Sequence, residues 1–154
     1  MAEEDLLKKA KLRAMYLLNI CDRAEAELRE KLKKNEYPQE IIEQAIQYVK
    51  SFGYINDLRY AENFIRSRKE KKSKKEILYL LSEKGIASEI IASAVEEYYH
   101  EEDGVLAIRA LLKKRHYESK TADDKERQKT YGYLARKGFS YRDIMKALQA
   151  EEEI

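Results

Sequence analysis

Three segments of this chain repeat one pattern of apolar residues, and this repetition restricts the folds open to it. The segments Leu32–Tyr37, Leu81–Ile86 and Leu134–Phe139 align at offsets of 49 and 53 residues. Three further apolar positions recur downstream in the same register. They are Ile42, Ile91 and Ile144; Ala45, Ala94 and Ala147; and Ile46, Val95 and Leu148. Self-similarity at this period is typical of tandem helical repeats that stack on their neighbours.

Apolar residues also recur every three to four positions along the chain, which indicates amphipathic helices. Few residues would interrupt a helix, because the 154 residues include one proline and five glycines. We therefore predict an all-α fold, an elongated array of three tandem three-helix repeats, the last one truncated, with an N-terminal helix. The predicted segments are 1–21 for the N-terminal helix, 22–72, 73–120 and 121–150 for the repeats, and 151–154 for an acidic tail.

Polar residues that can cap helices precede several of the predicted helices. They are Asp22, Asn56, Ser73, Thr121 and Ser140. Glycines that can enter the left-handed region follow predicted helix ends at Gly53, Gly85 and Gly138. In the first repeat Glu36 stands in place of the turn glycine, and we predict that Asn35 takes the left-handed conformation instead.

Residues at three-to-four spacing on each helix form its predicted inward face and are expected to be buried, and four others are expected there besides the repeat positions above. They are Cys21, Phe52, Leu58 and Met145. Cys21 lies on the same stripe as Ala14 and Leu17, so we expect a small core residue there and not a nucleophile.

Positive charge is concentrated in one place although the net charge is only +2. In residues 66–75, here called the basic segment, seven of ten residues are Lys or Arg. Together with Arg59 they are candidate contacts to a polyanion, whose counterions they would release. The candidates are Arg59, Arg66, Arg68, Lys69, Lys71, Lys72, Lys74 and Lys75. The alternative is a solvated charged linker between helices.

A second cationic set lies at the end of a predicted helix over about 102–116. It consists of Lys113, Lys114 and Arg115. These residues are further candidate contacts, although cations at a helix C-terminus also have a structural role, because they compensate the helix macrodipole.

The sequence contains no recognisable catalytic, cofactor or metal motif. His100 and His116 lack the spacing of a zinc helix, and neither a phosphate-binding loop nor a dinucleotide-binding loop is present. We predict no enzyme activity, no cofactor and no metal. Cys21 is the only cysteine, and no signal peptide or apolar span is evident, so we expect a cytoplasmic protein without a membrane contact.

The segment Gly53–Ala61, GYINDLRYA, followed by Phe64 and Ile65, resembles the signature of the RecX family. Lys84-Gly85-Ile86 and the segment 136–141, RKGFSY, resemble the second and third turns of that family, and the likeness runs from Arg13 to Leu148. Asn35-Glu36 departs from the Lys-Gly pair usual at the first turn.

The resemblance implies a regulator, usually an inhibitor, of the RecA recombinase. Such proteins are thought to lie in the groove of the RecA–DNA filament and to limit filament growth, ATP hydrolysis and strand exchange. The partners would be the RecA filament and DNA, reached through the filament or directly, with no small-molecule substrate. Two alternatives remain open from the residues themselves: a stand-alone nucleic-acid-binding helical protein, and a helical-repeat scaffold for another protein.

Overall fold

The computed structural model describes the backbone of residues 2–152 and the side chains of residues 2–149. This part of the chain forms nine α-helices and no strand, which confirms the predicted all-α fold. The helices are α1 (Glu3–Ile20), α2 (Glu25–Lys34), α3 (Gln39–Ser51), α4 (Asp57–Arg68), α5 (Lys74–Glu83), α6 (Ser88–Tyr98), α7 (Asp103–Lys114), α8 (Asp124–Arg136) and α9 (Tyr141–Glu152). Of the predicted acidic tail, residues 153 and 154 lie outside the described residues.

The chain forms two compact units. The first comprises the residues up to Ala61 together with Leu81–Ile91, and the second comprises Glu62–Leu80 together with the residues from Ala92 onward. In the first unit α1 packs against both α2 and α3. Its core includes positions predicted from the repeat, and they are Leu32, Ile42, Ala45 and Ile46.

In the second unit α9 packs against both α7 and α8. The equivalent repeat positions form its core, since Leu134, Phe139, Ile144 and Ala147 are buried there and Leu148 packs against them half-buried. The apolar register read from the sequence therefore marks the core of each unit.

Three of the predicted caps are confirmed. The side-chain oxygen of Asn56 accepts a hydrogen bond from the Arg59 amide at 3.0 Å. The Ser73 and Ser140 hydroxyls accept equivalent bonds, each at 3.1 Å, three residues into α5 and α9. Each side chain thus satisfies one of the amides that a helix leaves unpaired in its first turn.

The cap predicted at Thr121 is wrong, because α8 begins at Asp124 and its cap is Asp123. The Asp123 carboxylate accepts a hydrogen bond from the Glu126 amide at 2.8 Å. The Thr121 hydroxyl instead points back to the Glu118 carbonyl, 3.5 Å away, within the preceding turn.

The cap predicted at Asp22 is also wrong, because α2 begins at Glu25 and follows Ala24, whose side chain cannot accept a bond. The Glu25 amide donates to Asp57 Oδ1 at 2.8 Å, so the carboxylate comes from the start of α4. The first turn of α2 is therefore stabilised by a residue 32 positions away in the sequence.

The prediction for the first turn is wrong at Asn35, whose φ of −83° is ordinary. Glu36 takes the left-handed conformation, with φ of 65°, as Gly85 and Gly138 do in the other repeats with φ of 78° and 96°. The turn geometry is the same in all three repeats, so the residue at the shared position adopts it whether or not it is glycine.

Four residues predicted to be buried are instead at the surface. Cys21 is exposed because α1 ends at Ile20 and the next residue is extended, which turns its side chain off the helix stripe. Phe52, beyond the end of α3, is 57% exposed, and Leu58 in the first turn of α4 is 40% exposed. Met145 is 41% exposed because the core-facing side of α9 is formed by its neighbours Ile144 and Ala147.

We expect Glu36→Gly to raise the free energy of unfolding by about 0.5–1 kcal/mol, because glycine has no Cβ to strain at positive φ. Asn35→Gly is the matched control at an ordinary φ, and it should lower stability by a similar amount. Urea denaturation of both variants checks this. Equal effects of the two substitutions would contradict the assignment of the left-handed residue.

Burial raises the pKa of Asp57, and the hydrogen bond from Glu25 only partly opposes this effect. The folded state therefore binds this proton more tightly than the unfolded state. The stability that results is present below the ordinary aspartate pKa of about 3.9 and is lost as the pH rises through the raised pKa.

Asp57→Asn keeps an oxygen acceptor for the Glu25 amide but does not ionise. We expect it to be at least as stable as the parent near pH 7, with any advantage vanishing below about pH 4. Asp57→Ala loses the acceptor and should lower stability by about 1 kcal/mol. Chemical denaturation across this pH range measures the difference, with Asp22→Ala as a control that should have little effect. Equal losses for Asn and Ala at position 57 would show that the cap is unimportant.

Candidate functional site

The basic segment covers the end of α4, the connection to α5 and the first turn of α5, and its two arginines lie against aromatic rings. The Arg66 guanidinium carbon lies 4.4 Å from the centre of the Tyr98 ring, and Glu62 is 3.6 Å from the same group. Arg68 lies 3.9 Å from the centre of the Phe64 ring. Both arginines remain exposed, so a planar donor group stays accessible while its orientation is restricted.

Two of the five lysines bind groups of the protein itself. Lys69 Nζ donates to the Tyr98 carbonyl at 3.4 Å and lies 3.8 Å from a carboxylate oxygen of the buried Asp103. Lys69 therefore neutralises both the C-terminal end of α6 and an acidic residue at the start of α7. Lys72 pairs with Glu76 at 3.3 Å, one turn along.

The other three lysines are exposed, and their side-chain ammonium groups make no ion pair or hydrogen bond within the described residues. They are Lys71, Lys74 and Lys75. Each keeps a full positive charge directed at solvent, so within the basic segment they are the side chains best placed to meet an external anion.

Lys74 and Lys75 line a cleft of about 530 Å³ in the second unit. Its other walls come from residues 99–101, between α6 and α7, and from the turn between α8 and α9. Arg142 also lines it and pairs at the rim with Glu101 at 2.9 Å, with both side chains about three-quarters exposed. The cleft thus brings cations from two repeats together.

Buried polar contacts fix the floor of this cleft. The Ser73 hydroxyl accepts the cap bond of α5 and donates to the Lys137 carbonyl at 2.6 Å. Gly138 lies so close that a Cβ there would be 2.7 Å from that hydroxyl oxygen. The first turn of α5, which carries Lys74 and Lys75, is therefore anchored to the turn before α9.

Burial, followed by the negative charges of Asp103 and Asp143, raises the pKa of the Tyr99 hydroxyl to about 12. This tyrosine lines the cleft and stays protonated at neutral pH. Its hydroxyl lies 3.5 Å from the Lys72 carbonyl, to which it donates. Tyr99 therefore contributes a neutral side chain to the cleft wall, and its hydroxyl proton is already donated within the protein.

The remaining predicted contacts lie elsewhere. Arg59 belongs to the first unit, where its Nη1 donates to the Gly53 carbonyl at 3.0 Å. Lys113 and Lys114 are exposed in the last turn of α7, and Arg115 follows them with its guanidinium carbon 3.9 Å from the centre of the Tyr133 ring. These three cations are not among the described residues that line the cleft.

Across the described part of the chain, no three His, Cys, Asp or Glu side chains are grouped as a metal site would require. No helix within residues 2–152 is both long enough and apolar enough to cross a bilayer.

Models of three RecX domains match this chain in order. The first three-helix domain matches residues 10–48, the second 56–95 and the third 101–148. A "Regulatory protein RecX" from Clostridium acetobutylicum is 34% identical over 96% of this chain and 71% of its own length. The chain belongs to the RecX family.

Other RecX proteins agree over most of their length. One from Prosthecochloris aestuarii is 32% identical over 92% of each chain. The crystal structure of RecX from Lactobacillus salivarius matches with a TM-score of 0.79 at 27% identity, covering 98% of this chain and 99% of that one. The relatives from Clostridium acetobutylicum and Prosthecochloris aestuarii are both named "Regulatory protein RecX". The three matched three-helix domains support the repeat architecture predicted above.

The RecX domains group α1–α3, α4–α6 and α7–α9. The repeats predicted to begin at residues 22, 73 and 121 use the same helices, but each begins one helix later than the corresponding RecX domain. It stays a prediction, as do the elongated shape and the individual contact residues.

Arg142 is the cleft cation that the sequence reasoning missed. It stands in the first turn of α9, two residues after the Ser140 cap, and no cluster of charge surrounds it in the sequence. The sequence points to Arg142 only indirectly, because this residue directly follows the RKGFSY segment by which the third RecX turn is recognised.

We expect Lys69→Ala to lower the free energy of unfolding by about 1–2 kcal/mol, because it leaves the buried Asp103 carboxylate without its cation. Lys71→Ala removes the same charge from the same segment but breaks no described contact, so its effect should stay within about 0.5 kcal/mol. Urea denaturation near pH 7 compares them. Equal stabilities of the two variants would show that the Lys69 contacts contribute nothing.

Proposed function

We propose that this RecX protein modulates the RecA recombinase, as an inhibitor that binds the groove of the RecA–DNA filament. Bound there, it would limit filament growth, ATP hydrolysis and strand exchange. The observation that carries this proposal is the ordered match of all three RecX domains along the chain. The action would be that of a binding protein, not an enzyme, and its place the cytoplasm, where the filament forms.

The charge distribution supports a contact with DNA within such a filament. Lys71, Lys74 and Lys75 direct unpaired charge to solvent. Arg142, which lines the cleft with Lys74 and Lys75, adds an exposed guanidinium that is paired with Glu101. Phosphate oxygens attract such cations, and the release of condensed counterions favours binding at low salt. Lys69 and Lys72 are engaged within the protein, so we assign them a smaller share of the contact.

The arginines of the basic segment suit a second kind of contact. The aromatic rings beside Arg66 and Arg68 orient their guanidinium planes, and a planar fork of donors can bind carboxylates or phosphates through two parallel hydrogen bonds. Arg59 and the set Lys113, Lys114 and Arg115 would extend the cationic surface to other parts of the chain. The proposal therefore assigns the strongest attraction to the cleft and weaker attraction to these other positions.

The test of this function is the single-stranded-DNA-dependent ATPase rate of the cognate RecA, with this protein added below one-to-one. Marked inhibition would support binding to the filament. No inhibition, with tight binding of the isolated protein to DNA, would favour a stand-alone nucleic-acid-binding protein. Neither inhibition nor DNA binding would favour a scaffold for another protein.

The triple variant Lys71→Ala, Lys74→Ala, Lys75→Ala should inhibit RecA less and bind single-stranded DNA more weakly. If all three lysines contact phosphate, the slope of log affinity against log salt should become shallower by about 2, since each contact contributes about 0.7 on single strands. Helicity, followed by circular dichroism, should not change, because no described contact is removed.

The matched control replaces three exposed lysines of the same unit that lie outside the cleft. They are Lys120, Lys125 and Lys129. Their replacement by alanine removes the same net charge, so it separates a local contact from a general effect of charge. Similar losses of inhibition in both triple variants would refute the assignment of Lys71, Lys74 and Lys75 as contacts.

A further inference from the structure

The second half of α1 is apolar on both sides. Ala14 and Leu17 face the core of the first unit, where they are at most 5% exposed. On the opposite side Leu12 is 60%, Tyr16 55% and Ile20 58% exposed. An apolar helix face that is left exposed is often covered by a partner, and a contiguous exposed apolar surface commonly marks an interaction site.

This outer face is one wall of a groove of about 850 Å³. Leu12, Met15 and Tyr16 of α1 line it on one side, and Tyr54 and Arg59 line it on the other. The groove is therefore built from Met, Tyr and Arg as well as Leu. Met, Tyr and Arg are enriched at the centres of protein–protein interfaces, and Tyr and Arg are common where binding energy is concentrated.

The turn between α3 and α4 extends the apolar surface beyond the groove. Phe52 stacks on Tyr54 with ring centres 5.6 Å apart, and Tyr48 meets Phe52 edge-on at 5.1 Å. Phe52 and Tyr54 are 57% and 46% exposed even so. These rings support one another, so they form a preorganised surface and lose little freedom when a partner covers them.

The charges around the groove are mainly positive. Arg59 lines it and uses one nitrogen for the Gly53 carbonyl, which orients the guanidinium and leaves its other donors available. Exposed cations continue the outer face of α1 or flank Tyr16. They are Lys8, Lys9 and Arg13. Asp22 is the only carboxylate among the described residues that line the groove.

We propose that this groove binds an acidic amphipathic helix of the recombinase. Its apolar stripe would cover Leu12, Met15 and Tyr16, and one of its carboxylates would pair with Arg59. The backbone of α1 is hydrogen-bonded within the helix and offers no strand edge, which favours a helix lying in the groove over an added β-strand. The inference rests on the proposed function, because it assigns the recombinase as the protein that supplies this helix.

The proposal separates two contacts of one molecule. The basic segment and the cleft of the second unit would meet the phosphates of DNA, whereas the groove of the first unit would meet protein. Binding at the groove should therefore depend less steeply on salt and more strongly on apolar area than binding at the basic segment.

The test uses the full chain and the cognate RecA filament assembled on single-stranded DNA. Leu12→Glu places a negative charge on the groove wall, and we expect it to weaken filament binding at least about tenfold while leaving the binding of the isolated chain to DNA unchanged. Leu12→Lys should weaken binding less, because the partner is acidic. Leu12 is exposed, so both variants should keep the parent's thermal unfolding midpoint within a few degrees.

The matched control is Leu106→Glu, which alters an exposed leucine of α7, 52% exposed, in the second unit. Leu106→Glu should leave the affinity for the filament within about threefold of the parent. The change expected for Leu12→Glu is larger, at least about tenfold, which corresponds to 1.4 kcal/mol. The proposal is overturned if Leu12→Glu and Leu106→Glu behave alike, or if Leu12→Lys weakens binding as much as Leu12→Glu.

Three further outcomes would also overturn it, and they differ in what they leave standing. If sedimentation equilibrium shows a dimer that Leu12→Glu converts to a monomer, the occupant of the groove is a second copy of this chain. If the parent inhibits RecA and Leu12→Glu inhibits equally, the groove assignment fails but the proposed function stands. If the parent binds no filament, both fail.

Discussion

The turn that follows the second helix of each RecX domain is the constraint on which the rest of the fold depends. One residue there takes a left-handed conformation, and it is Glu36, Gly85 or Gly138 in the successive domains. The next residue, Tyr37, Ile86 or Phe139, is then directed into the core. In the second and third domains, the amides of Ile86 and Phe139 donate to the carbonyls of Leu81 and Leu134. These hydrogen bonds close the last turn of the helix. This reversal lets the third helix of each domain continue with its apolar face inward.

The same turn also joins one domain to the one before it. A Cβ on Gly85 would lie 2.6 Å from the Cβ of Ala26, and a Cβ on Gly138 would lie 3.2 Å from the Cβ of Lys75. Ala26 and Lys75 are themselves equivalent, at the repeat offset of 49 residues. Glycine is therefore required at both later turns for its φ and for the space that it leaves, whereas the first turn accepts Glu36 at the cost of backbone strain alone.

The sequence predicts those features of the fold that depend on neighbours in the chain. Helical periodicity located the core, and Asn56, Ser73 and Ser140 were found as caps because each bonds an amide three residues ahead. The cap of α2 was missed because its acceptor, Asp57, is distant in sequence and no local pattern specifies it. The prediction that Cys21 is buried is wrong for a related reason. It assumes that α1 continues beyond Ile20, whereas the helix ends there.

The candidate site shows the same limit. The sequence identifies the basic segment as a cluster of positive charge, but it does not show which of its lysines are free to contact a partner. Only the structure distinguishes them. Lys69 contacts the end of α6 and the start of α7, which are distant from it in the sequence. Lys74 and Lys75, by contrast, stand on a turn that Ser73 ties to the α8–α9 connection. The backbone under such a cation is already ordered, so only the lysine side chain loses conformational entropy when it meets a phosphate. A few lysines on rigid backbone can therefore contribute more to binding than the same number on a flexible linker.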